Sequence, residues 1–221
     1  MGASAAGAEP FVPAGADLHR LREAVQDCRG CDLYRAATQA VFSTGHATAP
    51  IVLVGEVPGD EEDKAGRPFV GPAGRVLRRA LRDVDIDPEQ TYVTNVVKHF
   101  KFSLRGKRRI HQKPSPFEID ACRPWLRAEF ALLDPRIVVA LGATAAQALA
   151  GASFRVTKSR GVLMPWPESA HRPEDFPTRS PGAQFLATLH PSAILRADDQ
   201  EEAYEGFRAD LAVVAAALAS R

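Results

Sequence analysis

Glu56 stands just past a short apolar run, residues 51–54, and His190 stands just past another, residues 185–189. A carboxylate and an imidazole released at the ends of two buried strands can be brought to one pocket, where they would share acid–base work. Taken singly, each has a blander reading: a turn or helix cap for Glu56, a satisfied hydrogen bond for His190. The segment 55–60 that carries Glu56 lacks both the GxGxxG and the Walker spacing, which argues against a nucleotide-phosphate loop.

The cysteines raise a second chemistry. Cys28-x-x-Cys31 is a weak metal signal alone, and Cys122 and His99 are the candidates that would complete it. Three Cys and one His form an accepted tetrahedral zinc set, while iron–sulfur clusters take four thiolates with His as an occasional substitute, so spacing leaves both metals open. Cys122 by itself reads as a small buried hydrophobe. Three cysteines are too few for a disulfide scaffold, so in a reducing compartment they are free thiols or ligands.

Residues 98–113, KHFKFSLRGKRRIHQK, hold seven Lys or Arg and no acid, with Phe100 and Phe102 interleaved. That charge density suits phosphate, and the aromatics could stack on bases or pack the loop root. A solvated loop is the commoner fate of such a run, and His111 alone would be a surface histidine. Its place between two strand-end segments favours DNA.

Elements must hold these groups together. Residues 1–16, rich in Ala, Gly and Pro, read as a loose arm, and one domain is expected over 17–221. A helical pattern from Asp17 (Leu18, Leu21, Ala24, Val25) runs into the CxxC, where Gly30 can end it. The run 51–54, helical spacing at Val76, Leu77, Ala80, Leu81 and Val84, and the run 92–97 make a β-α-β unit with Asn95 near its end. Ser115-Pro116-Phe117-Glu118 reads as a capping box opening a helix that holds Cys122, which Pro124 either kinks or restarts. A further strand and helix follow over 137–141 and 143–150, and Tyr204, Phe207, Leu211, Val214 and Leu218 mark a closing amphipathic helix. The pattern predicts an α/β domain with a central, mainly parallel four-stranded sheet flanked by helices and ligands bound at the carboxyl ends of the strands.

The chain has 221 residues, 45% of them apolar, and 28 basic against 27 acidic side chains. A net charge of +1 does not itself point to nucleic acid, so the case rests on where the charges sit. No leader pattern opens the chain and no apolar run nears the roughly 18 residues that span a bilayer, which predicts a soluble, cytoplasmic protein with no membrane partner.

Four stretches together resemble the family-4-like iron–sulfur uracil-DNA glycosylases: GEVPGDEEDKAGRPFVGPAG (55–74), YVTNVVK (92–98), LGATAA (141–146) and HPSAILR (190–196). The likeness runs from about Cys28 to Arg196, and KRRIH (107–111) resembles the UdgX branch, which cross-links itself to the abasic product. The resemblance implies an α/β/α sandwich with a [4Fe-4S] cluster on Cys28, Cys31, His99 and Cys122. It implies that Phe69 stacks on an extruded uracil, that Asn95 reads its polar edge and that His190 hydrogen-bonds O2. His111 would attack the sugar C1′, with Glu56 orienting it and taking its proton, in a single turnover that ends in a covalent adduct. Gly55, Val57, Gly59, Asp60 and Ser192 would complete the base pocket, and Lys107, Arg108, Arg109 and Arg196 would contact the DNA.

One position departs from the branch, which usually has Gln where this chain has Val57, so a side-chain hydrogen bond is missing there. The implied partner is uracil-containing DNA, single-stranded by preference, and a monomer is expected. Two other readings stay open: a turnover glycosylase in which water attacks and His111 only contacts DNA, and an iron–sulfur DNA-binding module that does not cut.

Overall fold

The computed structural model describes residues 7–177 and 180–220. Helix α1 (Leu18–Ala24) starts at Asp17, whose side chain accepts from the Arg20 amide. A two-residue strand β1 (Ser43–Thr44) precedes the buried run β2 (Ile51–Gly55), followed by α2 (Asp60–Ala65), α3 (Pro72–Asp83) and β3 (Thr91–Asn95). The basic stretch folds as a hairpin, β4 (Phe102–Arg105) and β5 (Arg108–His111), ahead of α4 (Pro116–Phe130). Next come β6 (Ile137–Leu141), α5 (Ala143–Ala150), α6 (Val156–Ser159), β7 (Met164–Pro165) and β8 (Gln184–Thr188), and the chain closes with α7 (Pro191–Ile194) and α8 (Gln200–Ala219).

The main sheet has six strands in the order β1-β3-β2-β6-β8-β7, which corrects the four-stranded expectation. The four anticipated strands are its parallel centre, and β1 and β7 add antiparallel edges. Edge strands of two residues are too short to leave an alternation in the sequence. The central strands, by contrast, are covered on both faces and read as unbroken apolar runs. Val52, Val54, Val138 and Ala140 join a core with Trp125, Phe130 and Trp166 on one face. Ile51, Leu53, Ile137 and Val139 meet Leu77, Leu81, Phe207 and Leu211 on the other.

The Ser115–Glu118 capping box forms, and α4 continues unbroken through Pro124. Burial of Trp125, Leu126 and Phe130 beyond the proline holds that part of the helix in place. Of the arm expected over 1–16, residues 1–6 lie outside those described. Ala8 is buried and its amide donates to the Ala121 carbonyl at 2.8 Å, and Glu9–Phe11 makes one 3-10 turn. Among the described residues no helix is long and apolar enough to cross a membrane.

Candidate active site

Strand pairing sets the position of the first two site residues. Gly55 of β2 pairs with Asn95 of β3, and the ladder runs one step further through Val96 N–H to Gly55 O and Val97 N–H to Glu56 O, both 3.0 Å. Glu56 and Asn95 therefore leave the sheet side by side. With His190, Phe69 and His111 they line a cleft of about 860 Å³, whose wall also includes Val57, Gly59, Asp60, Ser192 and Arg196. Gly55 lies beneath the cleft, where a Cβ would come within 2.3 Å of Asn95 Oδ1 and 2.7 Å of the Phe69 ring. Only glycine lets those two side chains meet there.

Phe69 itself has φ +53, a left-handed conformation that costs a side-chain-bearing residue roughly 1–2 kcal/mol. Two contacts hold it and its loop: Arg78 Nη1 donates to the Phe69 carbonyl at 2.7 Å, and the buried Glu62 accepts from the Gly71 amide at 2.8 Å. The ring then stands 5.9 Å from the His190 ring, tilted 35°.

His190 caps α7. Its Nδ1 accepts from the Ser192 amide at 3.2 Å and lies 2.8 Å from Ser192 Oγ. An amide can only donate, so in the neutral ring the proton sits on Nε2, which becomes a hydrogen-bond donor. Burial first, then His111 and Arg196, push the His190 pKa down to about 4. The ring is neutral at pH 7.

His111 reaches the cleft on the hairpin, which belongs to a separate two-stranded sheet. What fixes the hairpin is Arg109. Its guanidinium bonds to Asp60 and, at 2.7 Å, to the fully buried Asp63, and it lies 5.3 Å and 5.1 Å over the rings of Phe100 and Phe102. Phe100 and Phe102 stack on each other at 5.1 Å, and Phe100 stands 6.1 Å from the His111 ring. Arg109, expected on phosphate, is thus already paired and acts as a clamp, and the two aromatics pack the hairpin root. Lys107 and Arg108 are exposed at the tip. His111 opens to solvent at the cleft mouth, yet partial desolvation, then Arg196, hold its pKa below the usual value against the pull of Glu62.

Burial raises the Glu56 pKa, and a hydrogen bond from the Thr144 side chain and the charges of Lys113 and Arg196 work against that rise. Glu56 Oε1 is buried with no hydrogen-bond partner among the described residues. A buried carboxylate oxygen left without a partner is suited to accept a proton.

A model of the uracil DNA glycosylase superfamily matches residues 42–212. The chain belongs to the uracil-DNA glycosylase superfamily. It is 38% identical over 175 residues to the Type-4 uracil-DNA glycosylase of Thermotoga maritima, covering 79% of this chain and 81% of that one. The Type-4 uracil-DNA glycosylase of Sulfurisphaera tokodaii is 35% identical over 171 residues, 75% of this chain and 74% of its own. A Type-5 uracil-DNA glycosylase of Thermus thermophilus is 32% identical over 155 residues, 67% of each chain. Uracil-DNA glycosylase activity, and with it a place in DNA repair, follows from this membership.

Sequence reasoning missed one buried network of this uracil-DNA glycosylase. Lys98, counted among the surface cations, is fully buried and paired with Glu129, and it donates to Thr94 Oγ1 at 2.7 Å and to the Asn95 carbonyl at 2.9 Å. It supports the end of β3, at Asn95, from below. Lys101 is likewise taken, by Glu118 at 2.8 Å. A lysine at the end of a buried strand followed by a polar run carries no local signal that separates it from its solvated neighbours.

The expected cluster ligands are all buried: Cys28, Cys31 and Cys122 as free thiols, with His99. Among the described residues no three His, Cys, Asp or Glu side chains gather as a single metal ion would require. The donor chemistry nevertheless fits a cluster. Trp125 Nε1 donates to Cys28 Sγ at 3.1 Å and the Lys98 amide to Cys122 Sγ at 3.3 Å. Burial above all, and then the neighbouring cysteines, raise the pKa of Cys31 and push that of Cys122 up to about 12, so these thiolates need a cation to form. A cluster spreads its ligands over four irons, and those ligands stand further apart than around one zinc.

Proposed function

We propose that the protein extrudes a uracil from DNA, excises it, and is left joined through His111 to C1′ of the abasic sugar. The observation that carries this reading is the hairpin clamp: Arg109, held by Asp60 and Asp63, sets His111 in the wall of the same cleft as Glu56, Asn95 and His190. A histidine that only touched phosphate would need no such clamp.

Extruding the base costs about a few kcal/mol, offset by phosphate contacts at Lys107, Arg108 and Arg196 and by stacking on Phe69. As the N-glycosidic bond breaks, its electron pair goes to uracil N1 and the negative charge spreads to O2. The Nε2–H of neutral His190 donates to that oxygen, and the Asn95 amide holds the opposite edge. The cationic sugar is captured by a ring nitrogen of His111, forming a C1′–N bond, and the proton released by the ring passes to Glu56. The N-linked imidazole is neutral and a poor leaving group, so turnover stops. Val57, buried and apolar, adds only shape to the pocket.

Cys28, Cys31, His99 and Cys122 would hold a [4Fe-4S] cluster, which supplies structural cross-linking of three chain segments and no electron to this reaction. A monomer acting on single-stranded DNA by preference completes the proposal. The test is a denaturing gel after mixing the protein with single-stranded uracil-DNA. A shifted covalent band supports the reading; free abasic product points to turnover by water, and unchanged DNA to binding alone.

A further inference from the structure

We infer that Lys98, paired with Glu129, is a positioning residue that sets the aim of Asn95 into the cleft and so how strongly the cleft holds an extruded base. The inference rests on the base-reading role proposed above for Asn95.

Where β3 ends, its two edges are held by different means. Toward β2, the Val96 amide donates to Gly55 O at 3.0 Å. A trans peptide points its carbonyl the opposite way, so the Asn95 carbonyl faces the β1 side. β1 stops short of it, its register ending at Ser43 opposite Thr94. Lys98 Nζ takes the vacant place, donating to Asn95 O at 2.9 Å. Both polar groups of the peptide between Asn95 and Val96 are thus pinned, which fixes the backbone from which the buried Asn95 side chain enters the cleft.

Lys98 is itself held at each of its polar groups. Its fully buried ammonium uses its three N–H bonds on Thr94 Oγ1 at 2.7 Å, on Asn95 O and on Glu129. Its amide donates to Cys122 Sγ at 3.3 Å, and its carbonyl accepts from the Val41 amide at 2.7 Å. Cys122 and Glu129 stand seven residues apart on α4, two turns along one face, so a single helix grips residue 98 at its backbone and at its side-chain tip. Glu129 Oε1 in turn accepts from the Tyr92 hydroxyl at 2.8 Å and the Thr94 hydroxyl at 2.7 Å. A buried ion pair adds little net stability over an apolar pair of the same volume, because desolvation offsets the attraction. What this pair supplies is direction, and the contact that leads from it toward the cleft is the one to the Asn95 carbonyl.

The test measures how much the base adds to binding. Fluorescence anisotropy gives the affinity for single-stranded DNA carrying 2′-fluoro-2′-deoxyuridine, whose fluorine disfavours a cationic sugar and so resists cleavage, and for the same DNA carrying a tetrahydrofuran abasic analogue. The ratio isolates the contacts to the base. Lys98→Met with Glu129→Gln removes the donor without leaving a buried charge, and the ratio should fall about threefold to tenfold, the usual effect of one hydrogen bond. Glu129→Gln alone leaves Lys98 on Asn95 O and should keep the wild-type ratio. In an Asn95→Ala background the Lys98→Met and Glu129→Gln pair should have no further effect, a non-additivity that a general loosening of the fold would not produce. Should that pair not fold, Lys98→Met with Glu129→Met makes the same comparison, since Tyr92 keeps Ser43 Oγ at 2.8 Å and Thr94 keeps Phe42 O at 3.3 Å. An equal further loss in the Asn95→Ala background overturns the inference. If Asn95→Ala lowers the ratio and the paired variants do not, the role of Lys98 falls alone; if Asn95→Ala itself leaves the ratio unchanged, the base-reading role of Asn95 falls and takes the inference with it.

Discussion

Arg109 Nη1 and Asp63 Oδ2 lie 2.7 Å apart although 46 residues separate them in the chain, and this pair fastens the hairpin that carries His111 to helix α2. Asp63 is fully buried and also accepts from the Thr38 amide at 2.9 Å, so its charge is fixed in place. Arg109→Ala frees the hairpin and leaves a buried carboxylate short of a partner, at a cost of about 1–3 kcal/mol. Adduct formation should slow at least tenfold, with a lowered melting temperature. An unaltered rate would mean that His111 is positioned by something else.

The exposed tip makes a contrasting prediction. Lys107 and Arg108 have no ion-pair partner among the described residues, whereas Arg109 has two. Replacing both tip residues by Ala should lower the slope of log affinity against log salt by roughly 1.4 on single-stranded DNA, at about 0.7 per lost phosphate contact. Arg109→Ala should leave that slope nearly as it was. Fluorescence anisotropy across a salt series measures both.

The split between Arg109 and its neighbours explains what the sequence discloses. The central strands are legible because burial on both faces leaves unbroken apolar runs, and the polar residues after them mark the cleft: Glu56, Asn95 and His190 are all found by that rule. Arg109 and Lys98 are not. Their partners, Asp63 and Glu129, stand 46 and 31 positions away, and a local pattern cannot separate a clamped or buried cation from a solvated one. The hairpin escaped notice because its two four-residue strands bury little, so charge outweighs alternation.

His190 should tie stability to pH. Its folded-state pKa, about 4, lies below the ordinary 6.5, so between those values the unfolded chain binds more protons and stability rises with pH. The contribution is whole above about 6.5 and is lost as pH falls towards 4, amounting to at most about 3 kcal/mol. Replacing His190 by Asn should flatten the dependence of unfolding free energy on pH across that window. Denaturant titrations at several pH values read it, and an unchanged slope would place the acid sensitivity elsewhere.

Anaerobically purified protein should be brown and contain iron, since buried Cys28 and Cys122 each accept an N–H bond of the kind that stabilises thiolate sulfur. Cys122→Ser should bleach the visible absorption and lower the melting temperature, because α4 loses its tie to the CxxC loop. Stoichiometric zinc without iron would refute the cluster.

The last prediction separates His111 from Glu56. His111 lies at the open mouth of the cleft, and shortening it to Ser leaves the contacts of Asn95 and His190 with the base intact while admitting water near C1′. The variant should lose the covalent band yet release uracil with turnover. Glu56→Gln keeps the size but removes the proton acceptor, so adduct formation should slow roughly a hundredfold, the usual loss for a general base. His190→Ala withdraws the donor aimed at the departing base and should depress cross-linking and uracil release together, by about a hundredfold or more. A His111→Ser protein that leaves uracil-DNA untouched would show that His111 is needed before the bond breaks. A covalent band that survives the substitution would move the nucleophile to another residue.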